Sequence, residues 1–331
     1  LENGGTNSDV MIERRRQEKM GNKQLIARAD DLGSSMSANR AIERVIGAGV
    51  IRNVSVMACG PFVEAAAEML AGRKDVCFGM HTTLNAEWDQ VKWGPVAGAG
   101  RENLSKGQGA LFAGQGREGS SAGMGQANPL VDENGYFLSD PSLFLQTKPS
   151  VEQVMREVDA QLERLYKLGF DIRYIDSHMF SEAYVEGMDE AMAEFAVKKG
   201  LVDHMYFYHL LPDMGRLSEL AAGLEDFENM PAGARKNRLV DFAKNLVTEW
   251  EKIPAGQYFI VVHPSLDTEE MRRTGNAGVS GADVAKSRAR ETEIFSAPEL
   301  RTALETAGFA CVRYDEAARE KRMTVPELLA E

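Results

Sequence analysis

The chain has 331 residues, which is long enough for one large α/β domain or about two smaller ones. Its formal net charge of -12 argues against nucleic-acid binding, which needs clustered Lys and Arg to neutralise phosphates. No apolar run approaches the roughly 20 residues needed to span a membrane, so no membrane partner is expected.

The N-terminal residues 1–21 are polar and lack a hydrophobic signal core. We predict that they form a tail or an accessory helix, and that residues 22–331 form a single domain. A cytoplasmic location is expected, with export left open because the chain begins with Leu1 and not Met. Cys59, Cys77 and Cys311 form no C-x-x-C pair, so buried thiols are expected and not a disulfide framework or a thiolate zinc site.

From Lys23 onward, strand and helix signals alternate along the chain. Strands are predicted at 23–31, 54–58, 76–80, 171–176, 202–208, 257–263 and 309–314. Helices are predicted at 37–48, 62–71, 150–168, 188–199, 236–253, 297–307 and 324–331. Repeated β/α units predict a parallel sheet covered by helices. About seven such units favour a closed or nearly closed α/β barrel over an open sheet.

A glycine-rich insertion at about 94–127 interrupts this alternation. It has little periodicity and no apolar face that could join a core. Because it follows the strand that ends at His81, it would lie over the same end of the barrel as the strand ends. A substrate lid and a disordered insertion without a role remain alternatives.

Four predicted strands end on residues that can bind a metal ion or transfer a proton. These residues are Asp30, Asp31, His81, Asp176, His178 and His263. In α/β proteins the active site forms where the strands end, so residues distant in sequence converge there. Three of the five histidines occupy such positions. The pattern indicates an enzyme that uses a metal ion or acid–base catalysis.

The adjacent carboxylates Asp30 and Asp31 need an explanation. An Asp after a strand often caps the next helix, but Ser34 or Ser35 can supply that cap. Two neighbouring negative charges are unfavourable unless a cation or a basic partner offsets them. With a metal ion present, one carboxylate can be a ligand while the other accepts a proton from water.

The histidines differ in how much they indicate. His81 alone could be an ordinary core residue. Asp176 and His178 lie two positions apart and would share one face of their strand, so Asp176 either shares a metal with His178 or orients its ring. His263 precedes Pro264, where the chain must turn, and is a candidate general acid. His204 and His209 lie in an aromatic segment and are expected to pack or to make polar contacts at the rim, and not to be catalytic.

Other catalytic motifs are not supported by the sequence. Residues 114–119 match G-x-G-x-x-G, but they neither follow a predicted strand nor open a helix, so a dinucleotide site is not expected. The chain has no phosphate-binding G-x-x-x-x-G-K-[ST], no H-E-x-x-H and no G-x-S-x-G. Nucleophilic serine or cysteine catalysis is therefore disfavoured.

The combined motifs resemble the YdjC-like carbohydrate deacetylases, a family that includes chitooligosaccharide deacetylases. The resemblance rests on several elements between Lys23 and Asp315. They are Ala29-Asp30-Asp31-Leu32-Gly33 with Asn39 and Ile42, Gly79-Met80-His81 with Leu84, Leu130 to Phe137, Glu157 and Gln161, Ile175-Asp176-Ser177-His178, His263-Pro264, and Arg290-Glu291-Thr292-Glu293. The resemblance implies a distorted β/α barrel that holds one divalent metal ion.

Carried over residue by residue, the resemblance implies that Asp31, His81 and His178 bind the metal. It implies that Asp30 is the base that activates metal-bound water, and that His263 is the acid for the leaving amine. Asp176 and Arg290 would support the ligands or contact the substrate. Zinc or magnesium is the expected ion, with manganese and nickel left open because one carboxylate and two imidazoles suit several metals.

The chain departs from the family pattern at four positions. Arg28 stands where the family often has Asn, and it would share the face of Asp30 and keep that carboxylate ionised. Leu32 replaces a common Phe, and Tyr174 and Phe180 replace histidines that usually flank the D-x-H element. The three-ligand core is retained, but the substrate contacts beside it are expected to differ.

The expected function is metal-dependent removal of an N-acetyl group from an amino sugar or a short oligosaccharide. Two alternatives stay open. The first is a metal hydrolase acting on another amide, an ester or a phosphoester, and the second is a non-catalytic sugar-binding barrel. The expected partner is a small carbohydrate, and a homodimer is possible.

Overall fold

The computed structural model describes residues 23–97, 128–207 and 230–330, apart from residue 320 and scattered positions between 232 and 253. The predicted tail at 1–21, most of the glycine-rich insertion and His209 lie outside the described residues. The division into a tail and one domain therefore stays a prediction.

Seven parallel strands form one sheet that is curled into a half-barrel, with helices alternating along the chain. The strands are β1 (Lys23–Leu32), β2 (Asn53–Val56), β3 (Cys77–Thr82), β4 (Ile172–Ser177), β5 (Val202–Asp203), β6 (Gly256–Val262) and β7 (Phe309–Cys311). Their order is β5-β4-β3-β2-β1-β6, and β7 pairs with the first residues of β1. The predicted α/β barrel-like fold with seven parallel strands is confirmed.

The helices that are described from end to end are α1 (Met36–Ala48), α2 (Val63–Leu70), α3 (Phe144–Thr147), α4 (Val151–Lys167), α5 (Met188–Lys199), α6 (Gly281–Phe295), α7 (Pro298–Thr306) and α8 (Val325–Ala330). Scattered helical residues are also described between 233 and 248, within and just before the predicted helix at 236–253. Short 3-10 turns lie at Pro141–Leu143, Ser181–Tyr184, His204–Tyr206 and Met271–Arg273.

Local sequence signals explain the ends of several helices. Ser35 caps α1 by accepting a hydrogen bond from the Ala38 amide, and Gly49 ends it in the left-handed conformation. Ser150 and Gln153 form the reciprocal capping box that opens α4. Of the two caps that the sequence offered before α1, Ser34 and Ser35, the structure uses Ser35.

The structure shortens one predicted element and adds one helix that was not predicted. Among the described residues of the strand expected at 202–208, Val202–Asp203 form the strand, because the Asp203 side chain accepts a hydrogen bond from the Met205 amide and starts a 3-10 turn. Helix α6 was not predicted at all. Its sequence is mostly polar and lacks a continuous apolar stripe, although Ser280 caps it by accepting from the Asp283 amide.

The sheet separates two apolar clusters. Alternate side chains of β1 point to opposite faces of the sheet, so this strand contributes to both clusters. Leu25, Ala27 and Ala29 belong to the larger cluster, which includes buried residues of α1, α2 and α4. Ile26 points to the opposite, inner face, where it joins a smaller aromatic cluster. Arg28 and Asp30 follow Ile26 at every second position, so their side chains also point to the inside of the half-barrel.

Candidate active site and metal centre

The candidate site lies at the carboxyl ends of β1, β3 and β4. The parallel register places His81 of β3 opposite Asp176 of β4. On β1, Ala29 pairs with Val54 but Leu32 pairs with Val56, so one extra residue is accommodated in between. Asp31 lies in this irregularity with a φ of 68°, a left-handed conformation uncommon for a residue other than glycine. Such bulges often redirect a side chain beside a functional site.

A network of buried polar side chains occupies the inner face beneath the strand ends. Arg28 donates from Nε to Asp30 Oδ1 at 2.6 Å and from Nη2 to Asp30 Oδ2 at 2.8 Å. Its Nη1 lies 2.9 Å from Asp176 Oδ2 and also contacts the Tyr314 hydroxyl. Arg28 is only 1% exposed, and its charge offsets those of Asp30 and Asp176.

Two hydroxyl groups extend this network. Ser55 of β2 donates to Asp176 Oδ2 at 2.5 Å, and its hydroxyl also lies 2.9 Å from the Tyr174 hydroxyl. A Cβ atom on Gly79 would lie 2.1 Å from the Tyr174 ring, so glycine at this position makes room for that ring. Tyr174 is thus part of the inner network.

Three ligand-type atoms converge above the network. His81 Nε2 lies 3.2 Å from His178 Nδ1 and 3.4 Å from Asp31 Oδ1, and His178 Nδ1 lies 3.6 Å from Asp31 Oδ1. All three residues are buried. The sequence prediction had grouped these three residues, and the structure brings their side chains together.

Each histidine of this triangle has a carboxylate behind its other ring nitrogen. Asp176 Oδ1 lies 2.9 Å from His81 Nδ1, and Glu87 Oε2 lies 3.0 Å from His178 Nε2. The suggestion that Asp176 orients His178 is therefore wrong. In the parallel register Asp176 faces His81, whereas His178 follows the end of β4 and turns towards the loop after β3.

Asp31 has one oxygen paired and one unpaired. Arg288 of α6 donates from Nη1 to Asp31 Oδ2 at 2.7 Å, while Oδ1 is buried and has no hydrogen-bond partner among the described residues. Burial disfavours ionisation, yet Arg288, His81 and His178 hold the pKa of Asp31 well below its usual range. The unpaired oxygen is therefore a charged acceptor that points to the two imidazoles.

The electrostatic field of the cluster favours a cation. Burial disfavours the charged imidazole of His81, but the carboxylates of Asp176 and Asp30 raise its pKa to about 10. Burial also opposes ionisation of Asp176, whose pKa is nevertheless lowered by Arg28 and His81. A positive charge at the triangle is thus stabilised by the carboxylates that surround it.

The residues present fit a divalent metal ion. Ligands about 2.1 Å from a tetrahedrally coordinated ion lie roughly 3.4 Å apart, which matches the edges of the Asp31, His81 and His178 triangle. A bound ion would also serve Asp31 Oδ1, which accepts no hydrogen bond from the described residues. A second group, Asp30 with His81 and Asp176, also has its ligand atoms within 4.8 Å. Both of its carboxylates already bind Arg28, so the first group is the better candidate.

His263 follows β6, the strand that pairs with β1. A positive charge on His263 would lower the pKa of Asp31 further, and the His263 side chain is partly exposed. Its amide donates to Glu291 Oε2 on α6 at 2.5 Å. Burial raises the pKa of Glu291, although His263 acts in the opposite direction.

The sequence prediction missed Glu87 and Arg288 and instead chose Arg290. Arg288 binds Asp31, and its guanidinium carbon lies 5.8 Å from the Trp88 ring centroid. Arg290, two positions further along α6, is partly buried, and its predicted role stays untested. Little in the sequence indicated that Arg288 belongs to the site, because the helix that carries it, α6, was not predicted.

The other histidine and cysteine predictions can be compared with the structure where these residues are described. His204 stacks on Phe180 with ring centroids 5.9 Å apart, and burial lowers its pKa to about 4, which agrees with packing. Cys59, Cys77 and Cys311 are free thiols; the first two are buried and the third is partly buried.

No helix in the described part of the chain is long and apolar enough to cross a membrane.

Comparison with known proteins gives a family match over most of the chain. The family model described as YdjC-like protein matches residues 24–306. A carbohydrate deacetylase from Thermoanaerobacter pseudethanolicus is 27% identical over 179 residues, which cover 54% of this chain and 59% of the relative. A carbohydrate deacetylase from Enterococcus faecalis is 29% identical over 160 residues, covering 48% and 49%. The alignments thus span about half of the length of these relatives.

A solved structure supports the fold. The crystal structure of an Enterococcus faecalis protein, described as a candidate cellobiose-phosphate cleavage protein, matches with a TM-score of 0.59 and 19% sequence identity. The match covers 89% of this chain and 98% of the other. At this identity the likeness shows the shared fold and not a shared substrate.

Proposed function

Because the chain belongs to the YdjC-like family, we propose that it is a metal-dependent carbohydrate deacetylase that removes an N-acetyl group from an amino sugar or a short oligosaccharide. The observation that carries the proposal is the triangle of Asp31 Oδ1, His81 Nε2 and His178 Nδ1 at the carboxyl ends of the strands. The names of the two matched relatives support the choice of reaction.

Asp31, His81 and His178 would hold the ion. When bound there, a divalent cation supplies Lewis-acid chemistry that polarises an acyl oxygen and makes water more acidic. The chain fixes the three ligands from behind, since Arg288 holds Asp31, Asp176 holds His81 and Glu87 holds His178. Fixed ligands limit the reorganisation that the reaction would otherwise require.

Asp30 is the proposed base that accepts the proton of the attacking water. Arg28 donates two hydrogen bonds to it, one to each oxygen, which fix the orientation of the carboxylate. A carboxylate offers about four acceptor positions, so both oxygens retain capacity for another proton or hydrogen bond. Its position on the inner face beside His81 places it near the proposed ligands.

His263 is the proposed acid for the leaving group. In the overall reaction, water adds to the acetamide carbon, the carbon–nitrogen bond breaks, and acetate and a free amino sugar are released. The proton from water goes to Asp30, and the nitrogen receives a proton from His263. The partial exposure of His263 beside Asp31 suits a group that must meet the leaving nitrogen at the opening of the half-barrel.

The test measures acetate release from a panel of N-acetylated monosaccharides and short oligosaccharides. We expect release from at least one of them, its loss after chelation, and its recovery on addition of zinc, magnesium, manganese or nickel. Turnover of other amides, esters or phosphoesters without any acetate release would contradict deacetylation. Sugar binding that persists after chelation without any turnover would instead indicate a non-catalytic binding protein.

A further inference from the structure

Glu87 lies in the loop after β3 and contacts His178 from the side opposite the triangle. Its Oε2 is 3.0 Å from His178 Nε2, and the residue is only 9% exposed. Within the described part of the chain, His178 is its one ion-pair partner, while the Asn85 side chain is 3.5 Å from the same oxygen. Burial of a carboxylate is costly, so the reason why Glu87 is buried must lie in its contact with His178.

The loop holds Glu87 in place through several contacts. The Ala86 amide donates to the Leu138 carbonyl at 2.8 Å, and Trp93 Nε1 donates to the Asn85 carbonyl at 2.6 Å. The Asn276 side chain donates to the Glu87 carbonyl at 3.3 Å. These contacts hold the backbone of residues 85–87 and so limit where the Glu87 carboxylate can lie.

The contact determines which nitrogen of His178 faces the triangle. A neutral imidazole carries its proton on one nitrogen and a lone pair on the other. Because an ionised carboxylate only accepts hydrogen bonds, Glu87 requires the proton on Nε2 and leaves the lone pair on Nδ1. Asp176 has the opposite effect on His81, since it holds Nδ1 and leaves Nε2 for the triangle.

We propose that Glu87 is a positioning residue that fixes His178 as an Nδ1 ligand of the metal ion. The inference rests on the proposed function, because it assumes a metal ion at the triangle. Glu87 itself is not a ligand of that ion, since its carboxylate lies behind the ring that provides the ligand atom. Its effect is therefore transmitted through His178.

The first experiment measures zinc affinity by competition with a chelator. Loss of a carboxylate that supports a ligating histidine typically lowers metal affinity by 10–100-fold, and we expect this loss for Glu87→Ala. Glu87→Gln keeps an oxygen that accepts from Nε2 and should retain most of the affinity. The control is Glu157→Gln, which changes another buried carboxylate whose contacts are the Val96 and Ala97 amides and Gln161. Unchanged affinity in Glu87→Ala would overturn the inference.

The second experiment does not depend on a variant that folds. Long-range nitrogen–proton NMR correlations in the metal-free wild-type protein identify the tautomer of each histidine, and the chain has only five. The expected result for His178 is a proton on Nε2; a proton on Nδ1 alone would overturn the role of Glu87. If wild type shows this tautomer but binds no divalent metal, the proposed metal centre fails while the effect of Glu87 on the ring stands. If wild type binds a divalent metal but carries the His178 proton on Nδ1 alone, the proposed metal centre stands while the role of Glu87 fails.

Discussion

Asp30 and Asp31 are neighbours in the chain but belong to two different regions of the molecule. Asp30 lies on the inner face, where the guanidinium of Arg28 binds both of its oxygens. Asp31 lies at the rim, where Arg288 binds one oxygen and the other faces two imidazoles. Both aspartates therefore have an arginine partner, but Arg28 binds both oxygens of Asp30, whereas Asp31 Oδ1 accepts no hydrogen bond from the described residues.

The difference follows from one irregularity in β1. In a regular strand, consecutive side chains point to opposite faces, so Asp31 would have pointed away from Asp30. The extra residue between Ala29 and Leu32, with the left-handed conformation of Asp31, lets both carboxylates approach His81. The comparison predicts that the two aspartates have separable roles, and substitutions can test this.

The largest expected effect is on metal binding in Asp31→Ala. Removal of a ligand should lower zinc affinity by more than the roughly 100-fold that loss of an outer partner costs, and acetate release should stop. Zinc affinity is measured by chelator competition, with Asp30→Asn as the matched variant one residue away. Equal affinity in wild type and Asp31→Ala would mean that Asp31 is not a ligand.

The next largest effect is on turnover in Asp30→Asn. Loss of a general base should lower kcat by about 10²–10⁴-fold. Zinc affinity should fall far less than in Asp31→Ala, because Asp30 contributes negative charge but no ligand atom to the triangle. Steady-state kinetics and metal titration on the same preparation check both parts. A parallel loss of metal and activity would show that the two aspartates act as one unit.

The third effect is on stability in Arg28→Met. This substitution leaves Asp30 and Asp176 without their shared cation, and breaking a buried ion pair in this way costs about 3–5 kcal/mol. Urea denaturation measures the free energy of unfolding. Arg44→Met is the control, since the Arg44–Glu293 pair is exposed and should contribute at most about 1 kcal/mol. Similar losses in both variants would contradict the importance of the inner network.

The smallest effect concerns Glu182, a buried carboxyl that bonds to Ser177. Burial, with Asp203 and Asp189 nearby, raises its pKa from 4.5 to about 7. Between these values the unfolded chain loses this proton before the folded protein does, so the free energy of unfolding falls as pH rises, by up to about 3 kcal/mol.

The Glu182→Gln variant should lack this contribution and gain stability relative to wild type between pH 5 and pH 8. Urea denaturation at both pH values measures the change. Exposed Glu152→Gln serves as the comparison and should follow wild type. A pH dependence that is identical in wild type and Glu182→Gln would show that Glu182 does not titrate in this window.

The residues of the triangle could be found from the sequence because strand ends in a parallel sheet meet at one edge. Asp31 and His81 lie at the ends of apolar strands and His178 directly follows one, so their convergence could be predicted from the fold class. Which face each side chain takes was harder to predict. The bulge at Asp31 and the pairing of Asp176 with His81 depend on register, which the sequence does not reveal.

The supporting residues could not be found in this way. Glu87 lies in an irregular loop 91 positions before its partner His178, and Arg288 lies 257 positions after Asp31. No local periodicity connects such pairs. Helix α6, which carries Arg288, has a Ser280 and Asp283 capping pattern that could have signalled its start, but its polar sequence gave no apolar stripe.

The central claim is that Asp31, His81 and His178 bind one metal ion. Anomalous diffraction from zinc-loaded crystals, recorded at the zinc absorption edge, tests it most directly. The expected result is one strong peak per chain about 2.1 Å from Asp31 Oδ1, His81 Nε2 and His178 Nδ1. A peak at other residues, or no peak in crystals grown with saturating zinc, would contradict the account.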